Sequence, residues 1–108
     1  IYNGYSRRWI PGGGLGTVFE SRDGGSSWTN ITGNLPDAPG DGLAIVAGHL
    51  VLATDIGAFV ADKSHPTRWY RVAGMPNVVI DNVRSVPGQP AAVLATHGRG
   101  IWQLRFQR

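Results

Sequence analysis

The most informative turn in this chain is Ser21-Arg22-Asp23-Gly24-Gly25-Ser26-Ser27-Trp28. It reads S-x-D-x-G-x-x-W and lies between two β-prone runs, residues 16–20 and 29–32. An Asp-Gly pair between such runs favours a hairpin, because glycine takes the positive φ that a tight turn needs. The carboxylate and the first serine hydroxyl can accept hydrogen bonds from turn amides, and the aromatic ring adds apolar mass. We therefore predict a structural hairpin clasp built from Ser21, Asp23, Gly25 and Trp28.

The composition indicates a single small globular domain. The chain has 108 residues, of which 42% are hydrophobic and 16% are charged, with 16 glycines and 7 prolines. So many turn-forming residues favour short strands over long helices. There is no cysteine, which excludes disulfides and thiol nucleophiles, and the apolar runs are too short to span a bilayer as helices. The net charge of +3 comes from scattered arginines, so we predict neither a nucleic-acid nor a membrane partner.

An internal repeat of about forty residues runs through the chain. Val-Leu-Ala-Thr at residues 51–54 recurs unchanged at residues 93–96, which is 42 positions later. The segment Trp28–Gly33 aligns with Trp69–Gly74 at an offset of 41, and a proline follows each copy. This period is typical of the four-stranded blade of a β-propeller. The predicted fold class is therefore all-β, with antiparallel blades.

The repeat divides the chain into about two and a half blades. The predicted units are residues 1–36, a partial blade with an intact hairpin clasp; residues 41–76, a blade with a degenerate clasp; and residues 82–108, a closing partial blade. The predicted strands are 1–6, 16–21 and 28–32, then 42–47, 50–54, 58–62 and 69–73, then 83–87, 92–96 and 100–106. A closed propeller needs roughly four to eight blades. We therefore expect N-terminal blades elsewhere in the protein as partners, and self-association through open strand edges where they are missing.

Four segments, residues 16–28, 33–39, 53–59 and 95–102, resemble the last blades of bacterial BNR-repeat, or Asp-box, proteins. Similar repeats occur in sialidases, xyloglucan-degrading enzymes and sortilin-type receptors. The resemblance implies a secreted or extracytoplasmic protein of glycosyl hydrolase type that acts on or binds carbohydrate. It also implies that the catalytic acids lie on earlier blades, so this chain has no complete active site. The alternative is a non-enzymatic propeller that serves as a scaffold for protein–protein interaction.

The second copy of the clasp departs from the pattern. At residues 61–69 it keeps the tryptophan but lacks the Asp-x-Gly turn. We expect a looser hairpin there, with Pro66 supporting the turn.

Candidate ligand residues fall on the connections at the opposite end of the predicted strands. Long loops on a rigid scaffold often carry binding residues. The candidates for this ligand face are Tyr5, Arg7, Arg8, Trp9, Asp55, His97 and Arg99, accompanied by Asp37, Asp41 and Asp81. Each also has a purely structural interpretation: the aspartates as turn formers, Trp9 as a cap on the hydrophobic rim, and Arg99 as a residue that pins the last blade. We predict no catalytic residue, no metal ligand and no cofactor, since the sequence has no histidine metal cluster and no phosphate-binding loop followed by a helix.

Overall fold

The structure is a computed structural model that describes residues 18–36, 40–74 and 78–106. Within these ranges it contains nine β-strands and no helix. The strands are β1 (Phe19–Glu20), β2 (Thr29–Asn30), β3 (Gly40–Val46), β4 (His49–Thr54), β5 (Gly57–Asp62), β6 (Trp69–Arg71), β7 (Ile80–Ser85), β8 (Ala91–Thr96) and β9 (Ile101–Arg105). The predicted all-β class is confirmed. The strand predicted at residues 1–6 lies outside the described ranges.

The strands form three antiparallel sheets in chain order. The first sheet contains β1 and β2, the second contains β3 to β6, and the third contains β7 to β9. Every neighbouring pair in a sheet is also consecutive in sequence, so each sheet is a simple meander. Short Gly-containing turns make this possible, as at Gly48, which has a φ of 78° in the turn between β3 and β4.

The second and third sheets repeat one another in register. In each, the first strand carries an extra residue close to its beginning: Asp41 lies between the paired residues Gly40 and Gly42, and Asp81 lies between Ile80 and Asn82. Such a β-bulge bends the strand and redirects one side chain. Equivalent strands thus place two aspartates at the same end of two neighbouring sheets.

Two apolar clusters join the three sheets. Because successive strand residues point to opposite faces, Leu52 packs toward the first sheet and Val51 toward the third. Both residues are fully buried. This explains why β4 reads as a continuous apolar run rather than an alternating one.

Trp69 joins the first and second sheets through both packing and hydrogen bonds. Its side chain is 3% exposed, and its indole Nε1 donates a hydrogen bond to the carbonyl oxygen of Ile31 at 2.9 Å. The side chain of Asn34 holds the backbone of the same residue from both sides. Asn34 Nδ2 donates to the Trp69 carbonyl at 3.0 Å, and the Trp69 amide donates to Asn34 Oδ1 at 2.7 Å. Trp69 therefore contributes both apolar packing between the two sheets and three hydrogen bonds to residues of the preceding segment.

Candidate functional site

The predicted hairpin clasp between β1 and β2 is a closed hydrogen-bond network. Asp23 Oδ1 accepts from the Ser27 amide at 2.9 Å and from Ser21 Oγ at 2.8 Å, and Asp23 Oδ2 accepts from Ser27 Oγ at 2.6 Å. The amide of Gly25 donates to Ser21 Oγ at 2.8 Å. Hydrogen bonds from Ser27, and then from Ser21, lower the pKa of Asp23 to about 2. Both carboxylate oxygens are used inside the turn, which fits a structural role.

Trp28 differs from the expectation for this clasp. Its side chain is 63% exposed, whereas Trp69, at the equivalent repeat position, is buried against the first sheet. Trp69 is covered because a sheet precedes its own sheet along the chain. Within the described residues, no such sheet precedes β1 and β2.

The degenerate turn of the second sheet also contains a clasp. Asp62 Oδ1 accepts hydrogen bonds from the Ser64 amide at 2.9 Å and from Ser64 Oγ at 2.7 Å. These bonds lower the pKa of Asp62. Ser64 Oγ also lies 3.0 Å from His65 Nδ1. Because the hydroxyl proton of Ser64 goes to Asp62, His65 must donate rather than accept, so this cluster lacks the arrangement of an activated serine.

The opposite end of the strands brings four titratable side chains together: Asp41, Asp55, Asp81 and His97. We call this group the Asp–His cluster. Asp41 and Asp81 are the bulge residues of β3 and β7, and the other two begin the β4–β5 and β8–β9 turns. The second and third sheets pack directly against each other through β3 and β7, so these two ends are adjacent.

Two threonines fix the turns that carry Asp55 and His97. Thr54 Oγ1 donates to the Gly57 carbonyl at 2.7 Å, and Thr96 Oγ1 donates to the Gly100 carbonyl at 2.6 Å. Each threonine immediately precedes a cluster residue, but the two turns differ in length, because the Thr54 bond spans three residues and the Thr96 bond spans four. In the second sheet, the bulge residue and the turn residue are both aspartates, Asp41 and Asp55. In the third sheet, they are an aspartate and a histidine, Asp81 and His97.

The electrostatics of the cluster centre on Asp41. Burial, followed by a hydrogen bond with Asp55 and the charges of Asp55 and Asp81, raises the pKa of Asp41 from 3.8 to about 6. Its Oδ2 atom is buried and has no hydrogen-bond partner among the described residues. On the third sheet, His97 Nδ1 lies 3.6 Å from Asp81 Oδ2, and both side chains are largely exposed. Asp41 is therefore the member of the cluster whose pKa is raised by burial and by its neighbours.

A pH dependence of stability follows from this arrangement. Between pH 3.8 and about 6, folded Asp41 holds a proton that the unfolded chain releases, so the free energy of unfolding should fall as pH rises through this window and level off above it. Urea unfolding at several pH values measures this slope. Asp41→Asn should flatten it between about pH 5 and 6, where Asp23→Asn should leave it unchanged, because the lowered pKa of Asp23 affects stability only below about pH 5. A slope that persists in Asp41→Asn would contradict the assignment.

The other predicted ligand residues are placed differently. Arg99 is exposed; its amide donates to Thr96 Oγ1 at 3.1 Å and its carbonyl accepts from Trp102 Nε1 at 3.1 Å, so its backbone stabilises the turn. Tyr5, Arg7, Arg8, Trp9 and Asp37 lie outside the described residues. Sequence reasoning placed Asp41, Asp55 and Asp81 at one end but missed the Asp41–Asp55 hydrogen bond. The 40-residue spacing of Asp41 and Asp81 was the available signal.

Two further properties concern the described part of the chain, metal binding and membrane crossing. No group of three or more histidine, cysteine or acidic residues there is arranged to hold a metal ion. Over the same residues, no helix is long and apolar enough to cross a membrane.

Comparison with known proteins gave no match: no family model, no curated protein and no solved structure is significantly similar to the chain. The functional assignment therefore depends on the chain's own residues and geometry.

Proposed function

We propose that this chain forms about two and a half blades of an extracytoplasmic Asp-box β-propeller, and that the end bearing the Asp–His cluster binds carbohydrate. A meander of four strands, followed by three strands in the same register, supports the blade assignment. The repeat of 41 to 42 residues and the Asp23 clasp support it as well. The single observation that carries the binding function is the convergence of Asp41, Asp55, Asp81 and His97.

The cluster suits a polyhydroxylated ligand because it offers both donors and acceptors. A sugar hydroxyl donates one hydrogen bond and accepts others. The exposed Asp81 carboxyl group can accept hydrogen bonds and the exposed His97 ring offers an N–H donor, whereas the proton of Asp41 lies in its hydrogen bond with Asp55. Hydrogen bonds to charged groups are stronger than those between neutral groups, which favours sugar recognition by exposed carboxylates.

Hydrolysis is assigned to residues outside this cluster. Glycosidases separate their two carboxyl groups by about 5 to 9.5 Å, so that the sugar or a water molecule fits between them. Asp41 and Asp55 are joined by a direct hydrogen bond, which leaves no such space. In a protein of glycosyl hydrolase type, the pair would hold the glycan while other blades supply the catalytic acids.

A glycan array, followed by calorimetry with the best ligand, tests the binding function. Asp81→Ala and His97→Ala should each weaken binding about tenfold, as expected for the loss of a charged hydrogen bond. Both side chains are exposed, so the fold should persist. Asp62→Ala, at the opposite end of the second sheet, is the matched control and should bind normally. Unchanged affinity in both cluster variants would refute the assignment.

A scaffold for protein–protein interaction is the second candidate. The observation in its favour is an apolar stripe on β3, where Leu43 is 37% exposed and Ile45 is 56% exposed. Single exposed apolar residues are ordinary, but two on the same strand face can contribute to an interface. In that case Ile45→Ser would weaken partner binding, and the array would show no glycan ligand.

A further inference from the structure

The turn between β4 and β5, which carries Asp55, is held by a side chain from another strand. Arg71 lies on β6, which pairs with β5. Its Nη2 atom donates a hydrogen bond to the carbonyl oxygen of Ile56, the residue that follows Asp55. Because a peptide group is planar, holding this oxygen fixes the orientation of the whole peptide between Ile56 and Gly57. Arg71 thus restrains a turn that is 15 positions away in the chain.

The neighbours of Arg71 define the path of its side chain. Its guanidinium carbon lies 5.7 Å from the centre of the Phe59 ring, where a cation is attracted to the ring face. Gly57 leaves space for the end of the side chain, because a Cβ atom built there would be 3.1 Å from Arg71 Nη2. Gly57 also has a φ of 123°, which favours glycine. The ring and the glycine together give the guanidinium group a defined position.

The third sheet holds the corresponding carbonyl group by another route. Phe59 of β5 and Trp102 of β9 are equivalent, because each pairs with the leucine of its Val-Leu-Ala-Thr repeat. Ile56 and Arg99 each lie three positions before that aromatic residue. The indole Nε1 of Trp102 donates to the Arg99 carbonyl oxygen at 3.1 Å. The carbonyl groups of Ile56 and Arg99 are therefore both held by side chains.

The two arrangements replace each other. The Phe59 ring has no hydrogen-bond donor, and the second sheet supplies one from Arg71 on its fourth strand. Trp102 carries its own donor, and the described residues of the third sheet include no fourth strand that could supply another. Accordingly, no described atom lies within 4 Å of a Cβ atom built at Gly100, the counterpart of Gly57. Two unrelated side chains thus perform the same task in equivalent turns.

Each of these turns carries one member of the Asp–His cluster. Asp55 directly precedes the residue whose carbonyl group Arg71 holds, and His97 lies two positions before the residue held by Trp102. A turn that can change its peptide orientation would present these side chains in several directions. A held carbonyl group keeps each of them directed at its partner on the bulge.

The pKa of Asp41 reports the position of Asp55. Burial raises this pKa, followed by the hydrogen bond with Asp55 and the charges of Asp55 and Asp81. If Asp55 moves away, two of these causes weaken and the pKa of Asp41 falls toward 3.8. Loss of a nearby positive charge would act in the opposite direction, because it disfavours the ionised acid. The sign of the change therefore separates a positioning role of Arg71 from a direct electrostatic role.

We propose that Arg71 and Trp102 are positioning residues for the Asp–His cluster, each holding the carbonyl group that fixes the turn bearing Asp55 or His97. Their contribution to ligand binding rests on the carbohydrate-binding function proposed above. They act through the cluster residues, so their replacement changes the geometry of the cluster without removing any of its side chains.

A pH titration of the Asp41 carboxyl carbon by NMR tests the positioning of Asp55 without any ligand. Arg71→Met keeps an apolar stem beside Phe59 but loses the donor, so the midpoint should fall from about 6 toward 3.8. Arg68→Met removes a positive charge just before β6 and should leave the midpoint unchanged. An unchanged or raised midpoint in Arg71→Met would overturn the proposal.

The indole N–H signal of Trp69 shows whether β6 stays attached to the first sheet in each variant, because this group donates to the Ile31 carbonyl. Arg71 is exposed, so its replacement should leave the fold intact. If Arg71→Met does not fold, Arg71→Lys retains the charge and the stem but lacks the planar guanidinium group. It should lower the Asp41 midpoint by a smaller amount. A wild-type midpoint in folded Arg71→Lys would contradict the role assigned to the guanidinium group.

Calorimetry with the best glycan ligand tests the link to binding. Arg71→Met, and Trp102→Phe, which keeps a ring but loses the donor, should each weaken binding about fivefold, as expected for the loss of one hydrogen bond. Trp102→Phe acts on the turn of His97 and should leave the Asp41 midpoint unchanged. If His97→Ala weakens binding and Trp102→Phe does not, Trp102 has no positioning role.

The two measurements fail separately. A lowered Asp41 midpoint in Arg71→Met, together with unchanged glycan affinity in all cluster variants, would refute the carbohydrate-binding function and support the positioning of Asp55. A wild-type midpoint would refute the positioning, whatever the affinity.

Discussion

Trp69→Ala is expected to lower the free energy of unfolding by about 3 to 5 kcal/mol, the range for deleting a fully buried large aromatic side chain. The indole is 3% exposed, and it lies between the first and second sheets. Its loss removes the hydrogen bond to the Ile31 carbonyl and leaves a cavity in the cluster. Since domains of this size are stable by about 5 to 15 kcal/mol, the variant should be close to unfolding at room temperature. Urea unfolding monitored by circular dichroism measures the change.

Trp28→Ala is the matched control for this experiment. Trp28 occupies the equivalent position of the repeat but is 63% exposed, so its loss should cost about 0.5 kcal/mol. Trp69→Phe keeps most of the apolar volume and loses the indole donor, so it should fall between the two. A similar cost for Trp28→Ala and Trp69→Ala would show that burial by the neighbouring sheet does not distinguish them.

Gly33→Ala is expected to destabilise the chain by about 3 kcal/mol or more. One contribution is backbone strain, because Gly33 has a φ of 53° and a side chain at such an angle costs about 1 to 2 kcal/mol. The second is overlap of the new methyl group with the Thr67 carbonyl, and overpacking of this kind costs about 1 to 3 kcal/mol. The change should also separate Asn34 from Trp69, because the Asn34 amide lies 3.4 Å from the same carbonyl.

Gly74→Ala separates the two contributions. Gly74 has a φ of 83° but open space around its Cβ position, so only the strain of about 1 to 2 kcal/mol applies. The difference between the two variants, measured by urea unfolding, isolates the inter-sheet contact. Equal destabilisation by both would show that Thr67 moves aside without cost.

Much of the secondary structure could be predicted because its causes are local. Val51-Leu52-Ala53-Thr54 and its copy at residues 93–96 are β-branched and apolar runs between glycine turns, and both form strands. The predicted strands 50–54 and 58–62 lie within the observed β4 and β5. The hairpin at Asp23 could be predicted for the same reason, because all groups in its hydrogen-bond network lie within a few residues of one another along the chain.

The candidate site could be predicted only in part. Antiparallel order places the start of β3 and the β4–β5 turn at one end, so the general location of Asp41 and Asp55 follows from counting strands. Their direct hydrogen bond does not follow, because it depends on bulges that redirect Asp41 and Asp81. The raised pKa of Asp41 depends in turn on burial between packed sheets.

Trp28 and Trp69 show which structural features have local causes and which depend on long-range packing. Both occupy the same position in a hairpin motif, and the residue pattern alone assigns them the same role. Strand identity, turn chemistry and the all-β class arise from interactions between near neighbours in the chain, which the amino-acid order specifies directly. Whether an indole is buried, a glycine is crowded or a carboxyl keeps its proton depends on which sheet lies beside it, and packing between distant segments decides that only when the chain has folded.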